Sequence, residues 1–226
     1  MPICLHSSRA RNQPLLDSAG AQELMETIKL KNVITERDHT FGAPDAPRTL
    51  LEYGNFECVH CGGAYPIIKE VQKRLADNLR FVFRHFPTVR THPHSLRAAE
   101  ASEASGAQGK FWEMHDQLFM HQQALEDHDL SRYARRIGLD GEKFAYDMAQ
   151  NTFLEQIRID YDRSLFDEHV TGTPTFYIND VRYNGATDVE SLLLAIKQAD
   201  PERPIVLPEK SGLRGVLRRL HRGANK

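Results

Sequence analysis

Cysteine is scarce in this chain: three residues among 226, at positions 4, 58 and 61. Three thiols cannot build a multi-bridge scaffold, so a hydrophobic core must hold the fold. No stretch approaches the ~18 consecutive apolar residues of a membrane span. The opening MPICLHSSRARNQPLL, broken by Arg9 and Arg11, lacks the run of ~7–15 apolar residues that an export signal carries. On that reading the chain is expected in the cytosol, or in the periplasm if an export signal has been removed. A dominant charge is missing too, since 29 Lys and Arg oppose 31 Asp and Glu for a net −2. Such a balance gives no overall pull toward nucleic acid. There is no internal repeat and no low-complexity tract, which excludes a solenoid or a tail-like polymer.

The residues that are present suit a soluble globular protein, with 40% apolar and 27% charged. Residues 1–35 read as an N-terminal arm, with Ala21 to Lys31 as a short helix. The apolar run Thr49 to Tyr53 reads as a buried strand ending at Gly54–Asn55. A helix follows, aligning Tyr65, Ile68, Val71 and Leu75, with Pro66 inside it as a kink. LRFVFRHF, Leu79 to Phe86, is the next strand. From 93 to 166 the pattern turns helical: Phe111, Met114, Leu118 and Phe119 share one face, as do Leu130, Tyr133, Ala134 and Ile137. Gly138 is a stop signal and Asp140 an N-cap. The aromatic and methionine stripe in FWEMHDQLFMH is read as core. TFYIND and VRYNG form a hairpin turning at Asn179–Asp180, and Thr187 with Glu190 makes a capping box for a last helix.

An α/β frame (36–92 and 167–200) is thus interrupted by a helical block (93–166). A tail, 201–226, follows it. From Lys210 to Lys226 this tail carries six basic residues and no acid. Its apolar face (Leu213, Val216, Leu217, Leu220) also suits a membrane surface or an acidic partner; a solvated tail without nucleic-acid binding is the expectation. Cys4 is read as a free thiol.

The chemistry concentrates in NFECVHCGGAYP. A C-x-x-C pair can grip a metal, form a structural bridge, or cycle between dithiol and disulfide. An unperturbed thiol, of pKa about 8.5, is only a few per cent ionised at neutrality. The N-terminus of a helix lowers that value through its free amide donors and partial positive charge. Cys58 stands there as the exposed thiol, and Cys61, one turn inside, is more covered. His60 between them can add a charge or a hydrogen bond to the Cys58 sulfur. A zinc site wants four ligands, and no second C-x-x-C or H-x₃₋₅-H lies nearby. His92 and His94 fit a loop-to-helix junction, and His85 a packing position. In VTGTPTFYI, proline entering an inner strand at Thr173–Pro174 suggests a cis peptide bond.

LLEYGNFECVHC, the helical insertion and GTPTF together resemble the bacterial disulfide-oxidoreductase family typified by DsbA. RDHTFGAPDAPRTLLEYGNFEC, RHFP, HPHSLRAAEASEA, FWEMHDQLF and GTPTFYIND are more similar still to the thioredoxin-like domain appended to some sodium/proton antiporters. The match runs from about Glu36 to Ala199. It implies an α/β, thioredoxin-like fold with an inserted α-helical domain. It also implies protein-disulfide oxidoreductase activity on protein or peptide thiols and disulfides, with thioredoxin, glutathione or a similar redox partner and no metal or organic cofactor. By the same resemblance Cys58 is the nucleophile, Cys61 the resolving thiol and His60 the stabiliser of the thiolate. Glu52 matches a buried acid that aids proton transfer, Pro66 a helix-kinking proline, and Pro174 the cis-proline facing the disulfide. Thr173 offers backbone groups to an extended peptide, and Val59 joins it in meeting substrate. Val59 departs from the proline that the periplasmic oxidase carries there. The competing classes are a redox-inactive binding protein on the same fold, a zinc-binding C-x-x-C protein, and a glutathione-dependent detoxifying enzyme, which uses one catalytic residue instead of a pair.

Overall fold

The computed structural model describes residues 29–200. Five strands form one sheet in the order β1-β3-β2-β4-β5: β1 (His39–Gly42), β2 (Arg48–Gly54), β3 (Leu79–His85), β4 (Thr175–Ile178) and β5 (Val181–Tyr183). Only β2 and β3 run parallel; β1 pairs with β3, and β4 with β2 and β5, antiparallel. A parallel pair needs a crossover, and helix α1 (Val59–Leu75) supplies it. The remaining helices are α2 (Ser95–Gly106), α3 (Phe111–Met120), α4 (Asp127–Arg136), α5 (Gly141–Gln150), α6 (Leu154–Phe166) and α7 (Val189–Gln198). Helices α2 to α6 all lie between β3 and β4 in the chain, so a helical block interrupts the sheet.

The central strand β2 is buried at every position except Thr49, which is half-buried. Its period of two sorts the residues between two cores. Leu50, with Phe81, Phe83, Phe176 and Ile178 of its neighbours, faces the core that α1 and α7 complete with Ile68, Val71, Leu75, Leu192 and Ile196. Leu51 and Tyr53 face the other core with Val82 and Tyr177, where Tyr161 and Leu165 of α6 pack against them. Each such apolar side chain contributes roughly 1.5–3 kcal/mol on burial. Glu52 falls on the α1 face, where only apolar residues would be expected.

The helix ends follow their local chemistry. Asp140 caps α5 by accepting from the amides of Glu142 and Lys143. Helix α4 opens with Asp127 and Asp129 and closes with Arg135 and Arg136, matching its dipole. It stops before Gly138, which adopts φ +73°. Pro66 sits on the exposed side of α1, and the helix runs unbroken across it, because the missing donor costs least where water lies opposite. The β4–β5 hairpin turns on Asn179 and Asp180, both at positive φ (44° and 66°), as a two-residue type I′ turn demands.

Three sequence expectations change. The cap of α7 is Asp188, whose carboxylate accepts from the amide and hydroxyl of Ser191; the capping box had been placed one residue early, on Thr187. The expected helix Ala21–Lys31 lies mostly outside the described residues. Its described end is extended: Lys29 bridges Val181, and the Leu30 amide donates to Asp180 O at 2.7 Å. Strand β1 was missed, because four residues ending in glycine carry too little alternation to register. Cys4 and the basic tail lie outside the described residues.

Candidate active site

β2 ends at Gly54 and the chain turns sharply into α1. Asn55 shapes that turn: its side-chain carbonyl accepts from the Glu57 amide at 2.9 Å, and its amide donates to Thr88 Oγ1 at 3.1 Å. Cys58 is the N-cap of α1, in extended conformation and with no side-chain cap. The first-turn amides of the helix therefore face a sulfur instead of a capping oxygen. Cys61 follows one turn later. Both cysteines are free thiols.

The two sulfurs differ in ionisation. A hydrogen bond from the Cys61 thiol is the largest cause that lowers Cys58, to about 4; burial opposes it, and the Thr173 side chain and the amides of Cys61 and His60 add to it. Cys61 moves the other way. Its own burial, the hydrogen bond it gives to Cys58, and the charges of Glu52 and Cys58 hold its thiol far above the ordinary range.

Glu52 lies beneath the pair, 2% exposed, with Phe83 and Phe176 opposite it on the flanking strands. This apolar surround raises its carboxyl to about 8, with the Cys58 charge adding and the Cys61 thiol partly offsetting. Glu52 Oε1 has no hydrogen-bond partner within the protein. A carboxyl poised near neutrality beside a thiol can accept or return its proton.

The Thr173–Pro174 bond is cis. It places Thr173 O 3.4 Å from Cys58 Sγ, where it accepts from the protonated thiol. Cys58, Cys61, Glu52 and Thr173 thus meet, with Pro174 next to Thr173 in the chain, though they span more than a hundred residues. Two expectations are corrected. Cys58 is 4% exposed and Cys61 0%, so the outer thiol is covered as well, because Cys58 packs into the core cluster under the Thr173 loop. His60 meets the sulfur through its backbone amide; its ring is exposed, since position 60 faces away from the core on the first turn. Val59 is 72% exposed beside the site.

The family model described as Thioredoxin matches residues 34–198. The chain belongs to the thioredoxin family. The Na(+)/H(+) antiporter NhaA 1 of Mycobacterium sp. (strain KMS) is 46% identical over 171 residues, covering 74% of this chain and 28% of that protein. NhaA 1 of Salinispora arenicola is 43% identical over 164 residues, covering 73% and 25%. The chain therefore spans about a quarter of the length of these relatives. Among solved structures, a thioredoxin-like oxidoreductase from Silicibacter pomeroyi superposes with a TM-score of 0.66 at 24% identity, covering 75% of this chain and 95% of that one. Wolbachia pipientis alpha-DsbA1 gives 0.64 at 20%, covering 74% and 92%. The fold is thioredoxin-like in its DsbA form.

Within this thioredoxin-family site, sequence reasoning missed the supports contributed by the helical block. Gln122 Nε2 donates to the carbonyls of Phe56 (2.8 Å) and Cys58 (2.9 Å). A Cβ on Gly62 would come within 1.9 Å of Gln122 Oε1, so that glycine makes room for the tie. Glu57 accepts from the His94 amide at 2.7 Å and pairs with its ring at 2.8 Å, while the His92 ring contacts the hydroxyls of Thr88 and Thr91. His85 is more than a packing residue: it and His39 both contact Glu103 Oε1, at 2.9 and 2.8 Å. Among the described residues this is the one trio spaced closely enough to hold a metal. Burial of Glu103 opposes its ionisation, yet the hydrogen bonds from His39 and His85 hold it down to about 2. Through these contacts Glu103 ties β1, β3 and α2 together.

Proposed function

We propose that this protein is a thiol-disulfide oxidoreductase acting on protein or peptide substrates through Cys58 and Cys61. The observation that carries the reading is the geometry of the pair: Cys58 is the N-cap of α1 with Thr173 O 3.4 Å from its sulfur, and Cys61 is buried one turn inside. In this arrangement the Cys61 hydrogen bond lowers Cys58 to about 4 and burial raises Cys61. Only the thiolate is nucleophilic. Cys58 attacks one sulfur of a substrate disulfide and expels the other. The Cys61 proton passes to Glu52, and the Cys61 thiolate then attacks Cys58 Sγ and releases the reduced substrate. The reverse sequence oxidises a dithiol substrate. Val59 and the Thr173–Pro174 backbone border the sulfur and are the surfaces a substrate peptide would meet, and a glutathione- or thioredoxin-type partner resets the couple.

Stabilising the Cys58 thiolate stabilises the reduced form and makes the disulfide more oxidising. The couple is proposed to lie on the oxidising side of the about −270 mV of thioredoxin. Equilibration with glutathione buffers reads the potential, and insulin reduction with a thiol donor reads turnover. Turnover that vanishes in Cys58→Ser supports the reading. Turnover that survives in Cys58→Ser, or a Cys58–Cys61 pair that binds zinc stoichiometrically and forms no disulfide, rejects it.

A further inference from the structure

Glu52 can serve Cys61 only if its own proton has somewhere to go, and the carboxyl is only 2% exposed. A cavity of about 10 Å³ open to a water molecule lies between β2, α1 and α3, lined by Glu52 and by His115. That is the room one water needs. His115 is 4% exposed. Its Nε2, like Glu52 Oε1, is fully buried without a hydrogen-bond partner in the protein. Both residues line this water-sized cavity, and one water bonded to the two orphaned atoms would relieve a cost of about 1–3 kcal/mol for each.

We propose that His115, through one water in this cavity, carries the proton that Glu52 exchanges with Cys61, and delivers it to Asp116 at the surface. The outward leg is visible. His115 Nδ1 lies 3.2 Å from Asp116 Oδ1, and Asp116 Oδ2 pairs with Lys69 Nζ at 2.8 Å. Burial holds the His115 imidazole down to about 4, so the ring is neutral. Burial works against Asp116, but His115 and Lys69 lower it below its ordinary value and keep it ionised. A carboxylate at Nδ1 places the ring hydrogen there and leaves Nε2 with a lone pair free to accept. The other ionisable groups around the ring are Tyr65 and Lys69 of α1, Glu52 of β2 and His85 of β3.

This inference rests on the oxidoreductase reading and concerns its resolving step. The Glu52 carboxyl gives its proton to the water, the water gives one to His115 Nε2, and the Nδ1 proton passes to Asp116 and solvent. The emptied carboxylate takes the Cys61 proton. Cys61 Sγ then bonds to Cys58 Sγ, the bond from Cys58 to the substrate sulfur breaks, and the electron pair leaves on that sulfur, which is protonated by solvent. The Cys58–Cys61 pair loses two electrons and the substrate disulfide gains them. His115 touches neither sulfur; it is a positioning residue for proton traffic through Glu52.

The test is His115→Gln, which keeps a polar side chain that cannot relay a proton. The mixed disulfide of Cys58 with a small aromatic thiol is formed and its decay followed near neutral pH. The decay is expected to slow by roughly a hundredfold, the lower end of general acid–base contributions, while Cys58 alkylates at its native rate and pH midpoint. Decay at the native rate overturns the proposal. A second measurement needs no variant: a proton inventory of the native decay in mixed light and heavy water. A bowed plot, with more than one proton in flight, supports the relay, and a straight one-proton plot overturns it. If the native protein forms no mixed disulfide at Cys58, the oxidoreductase reading fails first and takes this proposal with it.

Discussion

The side-chain amide of Gln122 donates to the Cys58 carbonyl at 2.9 Å, from a position 64 residues further along the chain. The helical block therefore clamps the turn that presents the reactive sulfur. Gly62 is small because that clamp occupies the space its side chain would need.

Neighbouring glycines of α1 should respond oppositely to alanine. Gly62→Ala drives a methyl into Gln122 and is expected to cost about 1–3 kcal/mol, as overpacking does. Gly63→Ala meets nothing within 4 Å and should stabilise the helix by about 0.5–1 kcal/mol. Chemical denaturation of the reduced proteins compares them; equal effects of the same sign would remove the clamp.

His60 should act through its amide. His60→Ala keeps that donor, so the Cys58 ionisation midpoint, read from thiolate absorbance or the pH profile of alkylation, is expected to move by less than about one pH unit. His60→Pro removes the donor at a first-turn position that tolerates proline, and the midpoint should rise. A larger rise in the alanine variant would return the role to the ring.

Glu52 should make the reduced fold pH-sensitive. Its carboxyl is raised from 4.5 to about 8 on folding, so its contribution is full below about 4.5 and is lost as pH climbs through 8. Relative to the native protein, Glu52→Gln should gain stability across that interval, by roughly 5 kcal/mol at most given about 1.4 kcal/mol per pH unit. Cys58 runs the other way: its lowered value favours the fold above the ordinary thiol range and that benefit fades as pH falls through about 4. Between pH 5 and pH 9 the two offset each other in the native protein, so unfolding of the Gln variant at both values, which keeps only the Cys58 contribution, separates them. A Gln variant with the native pH slope would place Glu52 in contact with water.

Glu168, 1% exposed, accepts from the amides of Lys31 (2.8 and 3.0 Å) and Asn32 (2.5 Å). Glu168→Ala leaves those amides without an acceptor and should cost about 1.5–3 kcal/mol. Hydrogen exchange at Lys31 and Asn32 should accelerate while that of β2 stays protected. Unchanged exchange at both amides would count against the tie.

Much of this was legible in the sequence because it is local. The C-x-x-C at a strand-to-helix turn, the Asn179–Asp180 hairpin and the Asp140 cap each depend on a few adjacent residues. Glu52 was reached through the family resemblance, which matches it to a buried acid, and not through the residue pattern of its strand. The supports were illegible for the converse reason. Gln122 and His115 look like ordinary polar positions on an amphipathic stretch, and only the packing of α3 and its C-terminal turn against α1 brings them to the site. Periodicity places His115 on the buried face of its helix but cannot say which cavity it lines. The ring of His60 was overestimated because spacing along the chain does not show which side of a first turn faces a sulfur.

The contact from Cys58 Sγ to Thr173 O crosses 115 residues, and this orders events on the ribosome. At roughly 5–20 residues per second, about 6–23 seconds separate the synthesis of Cys58 from that of Thr173, which covers it. During that interval β2 lacks its β4 neighbour and Cys58 lacks its Thr173 partner. The local causes, Cys61 and the first-turn amides, are already in the chain, and the late segment adds its own contact and the cover over the sulfur. A ribosome-stalled chain ending before residue 170 would therefore carry Cys58 without that cover, open to alkylation.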